Sequence, residues 1–431
     1  MESGEIPDEL ARAALKNAFR MRFRMGLFDP QSDNAFRKIS LDEVGKSQDL
    51  SLSAAKQSMV LLKNQNNLLP LKTNQKIAVI GQNVNDTMSM TGNYDGPLCP
   101  DSSNADCFPS IFDAIFKINQ NAEMFENISN IDGACDVAKR SDAVVLVVDN
   151  FADGGGEGLD RVTVSLSDSQ RALVDAIATT KVPFVLVLVN GGVISIDDLA
   201  TSSPAILEAF MPGVQGGVAI AETIFGMNNP GGKLPVTFYN SHYIETVDFL
   251  NMSMVNRTYR FYEGSDVMYP FGFGLSYSDF QIEWKSLSSS SDVIVEMNKE
   301  TDPILLEVHV RNIQGPRGDE VVQVYLEPDK ESLKHSLGHN TPIERRRLID
   351  YQRISIDSNS SSTVTFSISP SVFKIVDEDG MRSMYNNSEF TIVVSRGHGD
   401  DILKRQVRIV DTSPPGLLID DHRDVMFEKW W

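Results

Sequence analysis

The nine residues Asp153–Arg161, DGGGEGLDR, set one glutamate among four glycines directly after the apolar run Ala143–Val148. A carboxyl group on such a stretch can serve as a general acid or base when a cleft closes round it and lifts its pKa toward neutrality. The same residues also suit a solvated loop whose glutamate faces water, since glycine accepts backbone angles that other residues resist. Asp160 and Arg161 follow at once. They read either as an ion pair anchoring the loop or as contacts to a substrate. A second glycine-flanked string, TGNYDG over Thr91–Gly96, offers Asn93 and Tyr94 as cleft-lining side chains, or else simply makes a tight turn. Tyr259, Arg260 and Tyr262 in TYRFYEG reach a substrate or pack one domain on the next, and packing is the favoured reading.

Elements that position these residues follow from the apolar pattern. A helix is expected over about Pro7–Gly26 with a stop at GLFDP, and a second over Ser51–Lys63. Beyond Pro70 the pattern alternates. KIAVIG, AVVLVVD, PFVLVLVN and AILEAFM read as strands, apolar throughout, and helices such as SDSQRALVDAIATT separate them. Ser167 or Asp168 can cap that helix. Continuously apolar strands between helices imply a mainly parallel sheet covered on both faces. Ligands of such sheets gather at the carboxyl ends of the strands, and AVVLVVD delivers the glycine-rich stretch to that edge. After Tyr269–Phe280 the period changes to two in ILLEVHVRN, DEVVQVYLEP, STVTFSIS and FTIVVSR, which predicts an antiparallel β-sandwich. The expected fold class is therefore α/β plus all-β, divided as 1–45, 46–275, 276–410 and a tail 411–431.

Composition narrows the partners. The 431 residues hold 39 Lys plus Arg against 59 Asp plus Glu, a net charge of −20, which argues against nucleic acid or an anionic membrane. No apolar run approaches the roughly 20 residues that span a bilayer. Three cysteines without CxxC spacing and scattered histidines make no metal site, and KIAVIG is followed by no G-x-G-x-x-G, so neither metal nor dinucleotide cofactor is expected. Six Asn-x-Ser/Thr triplets, at Asn85, Asn127, Asn251, Asn256, Asn359 and Asn386, favour a secretory route, while the amino-terminal stretch shows no apolar signal-peptide core. A local Cys99–Cys107 disulfide is feasible.

Taken in order, SMVLLKNQNNLLPL, KIAVIG, TGNYDG, GEGLDR, MPGVQGGVAIAETIFGMNNPGGKLPVTF, NRTYRFYEG and YPFGFGLSYSDF resemble glycoside hydrolase family 3 in its β-xylosidase branch. GDEVVQVYLEP is similar to the fibronectin type III-like domain appended in that family. The resemblance implies an α/β sandwich followed by a fibronectin-like sandwich, and hydrolysis of β-linked sugars from non-reducing ends with retention. It maps the general acid/base onto Glu157. Some relatives carry a glutamate two residues earlier, where this chain has Gly155. Retaining glycosidases need a second carboxylate, the nucleophile, about 5–5.5 Å from the first. In this family it lies in a preceding barrel domain, in an SDW-like context. None of the Ser-Asp pairs here precedes a tryptophan, and the one Lys-His pair, Lys334–His335, lies in the sandwich region. The opening helix resembles the end of that barrel. The expected partners are thus a β-linked oligosaccharide or glycoside and the missing barrel domain, with a non-catalytic carbohydrate-binding or interaction module as the competing reading. The branch also makes a Cys99–Cys135 disulfide an alternative to the local pair.

Overall fold

A computed structural model describes residues 7–33, 38–39, 47–92, 108–150, 161–248, 250–286, 291–297, 302–334, 337, 341–377, 379–397, 399–412 and 424–425. The chain forms two compact units, 1–50 and 51–431. In the first, helix α1 (Asp8–Arg24) carries Asp8 and Glu9 in its first turn and Arg22 and Arg24 in its last, the arrangement that suits the helix dipole. It ends at Gly26, whose φ of +67° lies in the left-handed region.

Helix α2 (Gln48–Ser58) enters the second unit and stops earlier than the sequence suggests. Val60–Asn64 is a strand, β1, and not the end of a helix. Its lead-in Met59 and residues Val60, Leu61 and Leu62 are buried without interruption, and a helix would have turned part of that run to water.

The remaining strands of the sheet are β2 (Ile77–Ile80), β3 (Ala122–Phe125), β4 (Ala143–Asp149), β5 (Phe184–Val189) and β6 (Ala205–Glu208), in the order β1-β6-β5-β4-β2-β3. All pairs are parallel except β1 with β6. The reason for the unbroken apolar strands is visible in β4. Ala143, Val145 and Val147 join one core while Val144, Leu146 and Val148 join the other, on the opposite face. Helices α3 (Ile111–Ile118) and α7 (Gly216–Ile224) cover the first face; α4 (Ile131–Lys139) and α5 (Asp168–Thr179) cover the second. Helices α3 and α7 meet so closely that a Cβ on Gly217 would lie 2.6 Å from the Ser110 carbonyl. Ser110 and Asp113 form a reciprocal capping box at the start of α3, and Ser167 caps α5 by accepting from the Gln170 N–H. A short α6 (Leu199–Ser202) leads into β6.

Past β7 (Phe238–Tyr239), α8 (Thr258–Phe261) and β8 (Val267–Tyr269), the chain builds a third core from Phe280 onward. Strands β9 (Asp279–Trp284), β11 (Ile304–Gln314) and β14 (Ser361–Ile368) form one sheet. The other contains β10 (Val293–Glu296), β12 (Gly318–Pro328), β13 (Arg347–Ile356), β17 (Glu389–Ser395) and β18 (Asp401–Val410), with the short β15 (Ile375–Val376) and β16 (Met381–Ser383) paired separately. Among the described residues the sandwich is antiparallel save for one pair, β10 with β18, which runs parallel. The alternation of β14, exposed at Thr363 and Thr365 and buried at Val364 and Phe366, is the period-two pattern in physical form.

Candidate active site at the carboxyl edge of the sheet

Strand β4 ends in Asp149, with Asn150 just beyond it, only 3% and 4% exposed. Asp149 accepts a hydrogen bond from Asn83 Nδ2 at 2.9 Å, which ties the exit of β4 to the turn after β2. The chain is described again from Arg161. Its Nη1 donates to the Val193 carbonyl at 3.3 Å, and four residues on, Ser165 forms a parallel bridge with Ser195. The Ser195 N–H donates to Val164 at 2.8 Å, and its hydroxyl donates to the Tyr239 carbonyl at 2.6 Å. The described residues on either side of 151–160 are therefore held at the carboxyl edge, Asp149 at the end of β4 and Arg161 and Ser165 along the segment that follows β5. Glu157 and Asp160 themselves lie outside the described residues, as do Asn93 and Tyr94. Of the TGNYDG string, Thr91 donates its hydroxyl to the Met88 carbonyl, and Gly92 turns at φ +84° against the sulfur of Met211. Cys99 and Cys107 also fall outside the described residues, while Cys135 is half-buried on α4 with its thiol pushed up mainly by burial.

Two polar residues escape a motif-based reading. Asn190 follows β5 and Glu208 closes β6, both with no exposed surface. The Phe210 N–H donates to Glu208 Oε1 at 2.7 Å, and burial pushes the carboxyl group up to about 8. The signal was available: a lone charge inside the apolar run AILEAFM.

TYRFYEG joins the two layers of the second unit. Arg260 Nε donates to Glu344 at 2.9 Å, the Arg345 N–H donates to the Arg260 carbonyl at 2.6 Å, and the Tyr259 hydroxyl accepts from the Leu348 N–H at 3.1 Å. Tyr262 is buried and donates to Asp266 at 2.6 Å. Lys233 reaches across the same joint, 3.0 Å from Glu320, which in turn pairs with Arg396 at 2.7 Å. Among the described residues no group of His, Cys, Asp and Glu is placed to hold a metal ion, and no helix is long and apolar enough to cross a membrane.

An α/β layer followed by a β-sandwich defines the architectural class. Residues 59–277 match the glycosyl hydrolase family 3 C-terminal domain and residues 320–397 a fibronectin type III-like domain. This chain belongs to glycosyl hydrolase family 3. It is 32% identical over 407 residues to a beta-xylosidase of Formosa agariphila, covering 89% of this chain and 53% of that protein. It is 34% identical to probable beta-D-xylosidase 7 of Arabidopsis thaliana, covering 75% of this chain and 44% of that one. Among solved structures, a β-glucosidase from Listeria innocua in complex with glucose superimposes with a TM-score of 0.78 at 22% identity, over 95% of this chain and 56% of that one. A family 3 exo-β-xylosidase bound to a xylobiose aziridine probe gives 0.76 at 22% identity, over 90% and 52%. These likenesses show the fold. The chain spans about half the length of the curated relatives it matches.

Proposed function

We propose that these residues supply the carboxyl-terminal portion of a retaining, exo-acting β-glycosidase of the β-xylosidase kind, acting on β-xylosides or xylo-oligosaccharides, with 1–45, 46–275, 276–410 and 411–431 as its divisions. The observation that carries this reading is the pinning of the described residues on either side of 151–160 at the carboxyl edge of a family 3 α/β layer, through Asp149 on one side and Arg161 and Ser165 on the other. Open parallel sheets receive ligands at that edge. In this proposal Glu157 is the acid/base: it protonates the leaving glycosidic oxygen, then takes a proton from the water that releases the sugar. Asp160, Arg161, Asn93 and Tyr94 are its companions in the substrate pocket.

The nucleophile comes from a barrel outside these residues. Without it no covalent glycosyl-enzyme forms, so the 431-residue chain alone is inactive. A chromogenic aryl β-xyloside incubated with the purified chain checks this, and robust turnover refutes it. When the chain is joined to its barrel, Glu157→Gln should cripple hydrolysis, least for substrates with good leaving groups, since these need little protonation. An unchanged rate moves the acid elsewhere. A joined protein that binds xylo-oligosaccharide but never cleaves it favours the binding-module reading instead. All six sequon asparagines are exposed, which supports a secretory, glycosylated protein. A mass shift on endoglycosidase treatment of protein from its native source tests that.

A further inference from the structure

Strand β12 is buried along nearly its whole length, because both of its faces are covered. Val322, Val324 and Leu326 enter the core of the sandwich. Val321, Gln323 and Tyr325 lie on the other face, and opposite them on β13 stand Arg353, Tyr351 and Leu348. That outer face meets residues 232–235 and 271–272 of the α/β layer, and a cavity of about 430 Å³ lies between them. A largely apolar recess of this size, set where two domains meet, is the usual form of a small-ligand site.

Its walls are built before any ligand arrives. Phe210, Leu234, Phe271, Val321 and Leu348 supply the apolar surface. The Phe271 ring stacks on Tyr259 with centroids 4.1 Å apart, and the Tyr259 hydroxyl accepts from the Leu348 N–H at 3.1 Å, so two of the walls hold each other. Gln323, 3% exposed, is spent on the Gly272 carbonyl at 3.1 Å and on Tyr325.

Among the described residues that line the cavity, the charged ones are Lys233 and Arg353, both cations, in a chain whose net charge is −20. Their carboxylate partners, Glu320 and Asp319, are not part of the lining. Each cation has a donor to spare. Lys233 Nζ donates to the Gly274 carbonyl at 2.7 Å and meets Glu320 at 3.0 Å, which leaves the third of its N–H groups. Arg353 donates Nε to Asp319 at 2.7 Å and Nη1 to the Gln57 carbonyl at 3.0 Å, and its Nη2 has no partner among the described residues. Both cations flank one short stretch: a Cβ on Gly231 would lie 3.1 Å from Arg353 Nη2, and Lys233 follows two residues on.

We propose that this cavity binds a small organic anion, an apolar ring bearing a carboxylate, with the ring against Phe271 and Leu348 and the carboxylate toward Lys233 and Arg353. Such a molecule answers both halves of the site. The ring displaces water from the apolar walls, and the carboxylate accepts from the spare N–H groups. An uncharged ring leaves those donors unmet, and an inorganic anion leaves the walls wet. Burial lowers the Lys233 pKa and Glu320 raises it; a carboxylate in the cavity acts in the same sense as Glu320. Because the walls come from both layers, an occupant ties them together and stabilises the folded chain. The site stands whether or not Glu157 is the acid.

The test titrates para-fluorobenzoate into the 431-residue chain and follows it by fluorine NMR, with para-fluorobenzamide as the uncharged control. The benzoate should saturate the site below about 10 mM, and the benzamide should bind at least about tenfold more weakly. R353Q should weaken the benzoate about tenfold and leave the benzamide unchanged. L348W, which fills the cavity, should abolish binding of both. No saturation by about 10 mM, equal affinity for acid and amide, or benzoate binding that survives either substitution overturns the proposal. If the variants do not fold, photolysis of para-azidobenzoate with the wild-type chain decides alone. Adducts mapped by mass spectrometry to 232–235, 271–272 or 348–353 support the site, and adducts confined to other segments refute it.

Discussion

Glu208 in the α/β layer and Glu320 at the joint with the β-sandwich are buried to 0% and 1% exposure, yet their surroundings are opposite. Glu320 lies between two cations, Lys233 at 3.0 Å and Arg396 at 2.7 Å, and its Oε1 also accepts from the Val321 N–H at 2.9 Å. Among the described residues Glu208 has one backbone N–H, one amide side chain and no cation. Burial penalises a carboxylate in both places. Among the described residues a compensating charge lies beside Glu320 and none beside Glu208, so burial alone does not fix the electrostatic surroundings of a carboxyl group. Lys233 shows the same balance from the other side: desolvation lowers its pKa while Glu320 raises it.

Breaking the paired site should have the largest effect. Glu320→Ala takes a buried carboxylate from between two partly buried cations and should cost about 3 kcal/mol in urea unfolding; a loss below about 1 kcal/mol would erase the contrast between the two sites. For the lone acid, Glu208→Gln should gain on the wild type by up to about 1.4 kcal/mol per pH unit between pH 4.5 and about 8. The sign follows from the raised pKa: the wild type is favoured by its retained proton at low pH and loses that advantage as pH rises. A difference that does not vary with pH would show the two carboxyl environments to be alike. Asp113 offers an intermediate case, half in solvent and bonded to the Ser110 N–H at 3.3 Å within the capping box. Asp113→Ala should cost about 1 kcal/mol, read as a shift in the unfolding midpoint. Smallest is the exposed pair Glu123–Arg140, where Glu123→Ala should leave the midpoint unmoved within error, since solvent already screens that pair.

Much of the architecture was legible because strand and helix periods are local properties. The unbroken runs of β4 and β5 announced a sheet covered on both faces, and the alternation of β14 announced a half-buried one. The strand Val60–Asn64 was not legible as such. A short apolar run suits a buried helix or a buried strand equally, and its pairing with β6 and its unbroken burial in the folded chain chose between them. The parallel pairing of β10 with β18 likewise depends on neighbours more than a hundred residues apart in sequence, which no local pattern specifies. Of the proposed site, the glycine-rich stretch stood out by its composition, and its anchors did not. Arg161 was visible as a charge, but its acceptor is the Val193 carbonyl, and every residue has a carbonyl.

The sequence by itself determined the order of layers, the family and the chemical types that the glycine-rich stretch offers, because these depend on composition and spacing along the chain. Tertiary structure alone decided which carboxyl groups met cations. Lys233, Glu320 and Arg396 are far apart in sequence and meet only where two domains close on each other, whereas Glu208 is carried by its strand into a place that no cation among the described residues reaches. Charge pairing is a property of distance in space, and one dimension does not hold it.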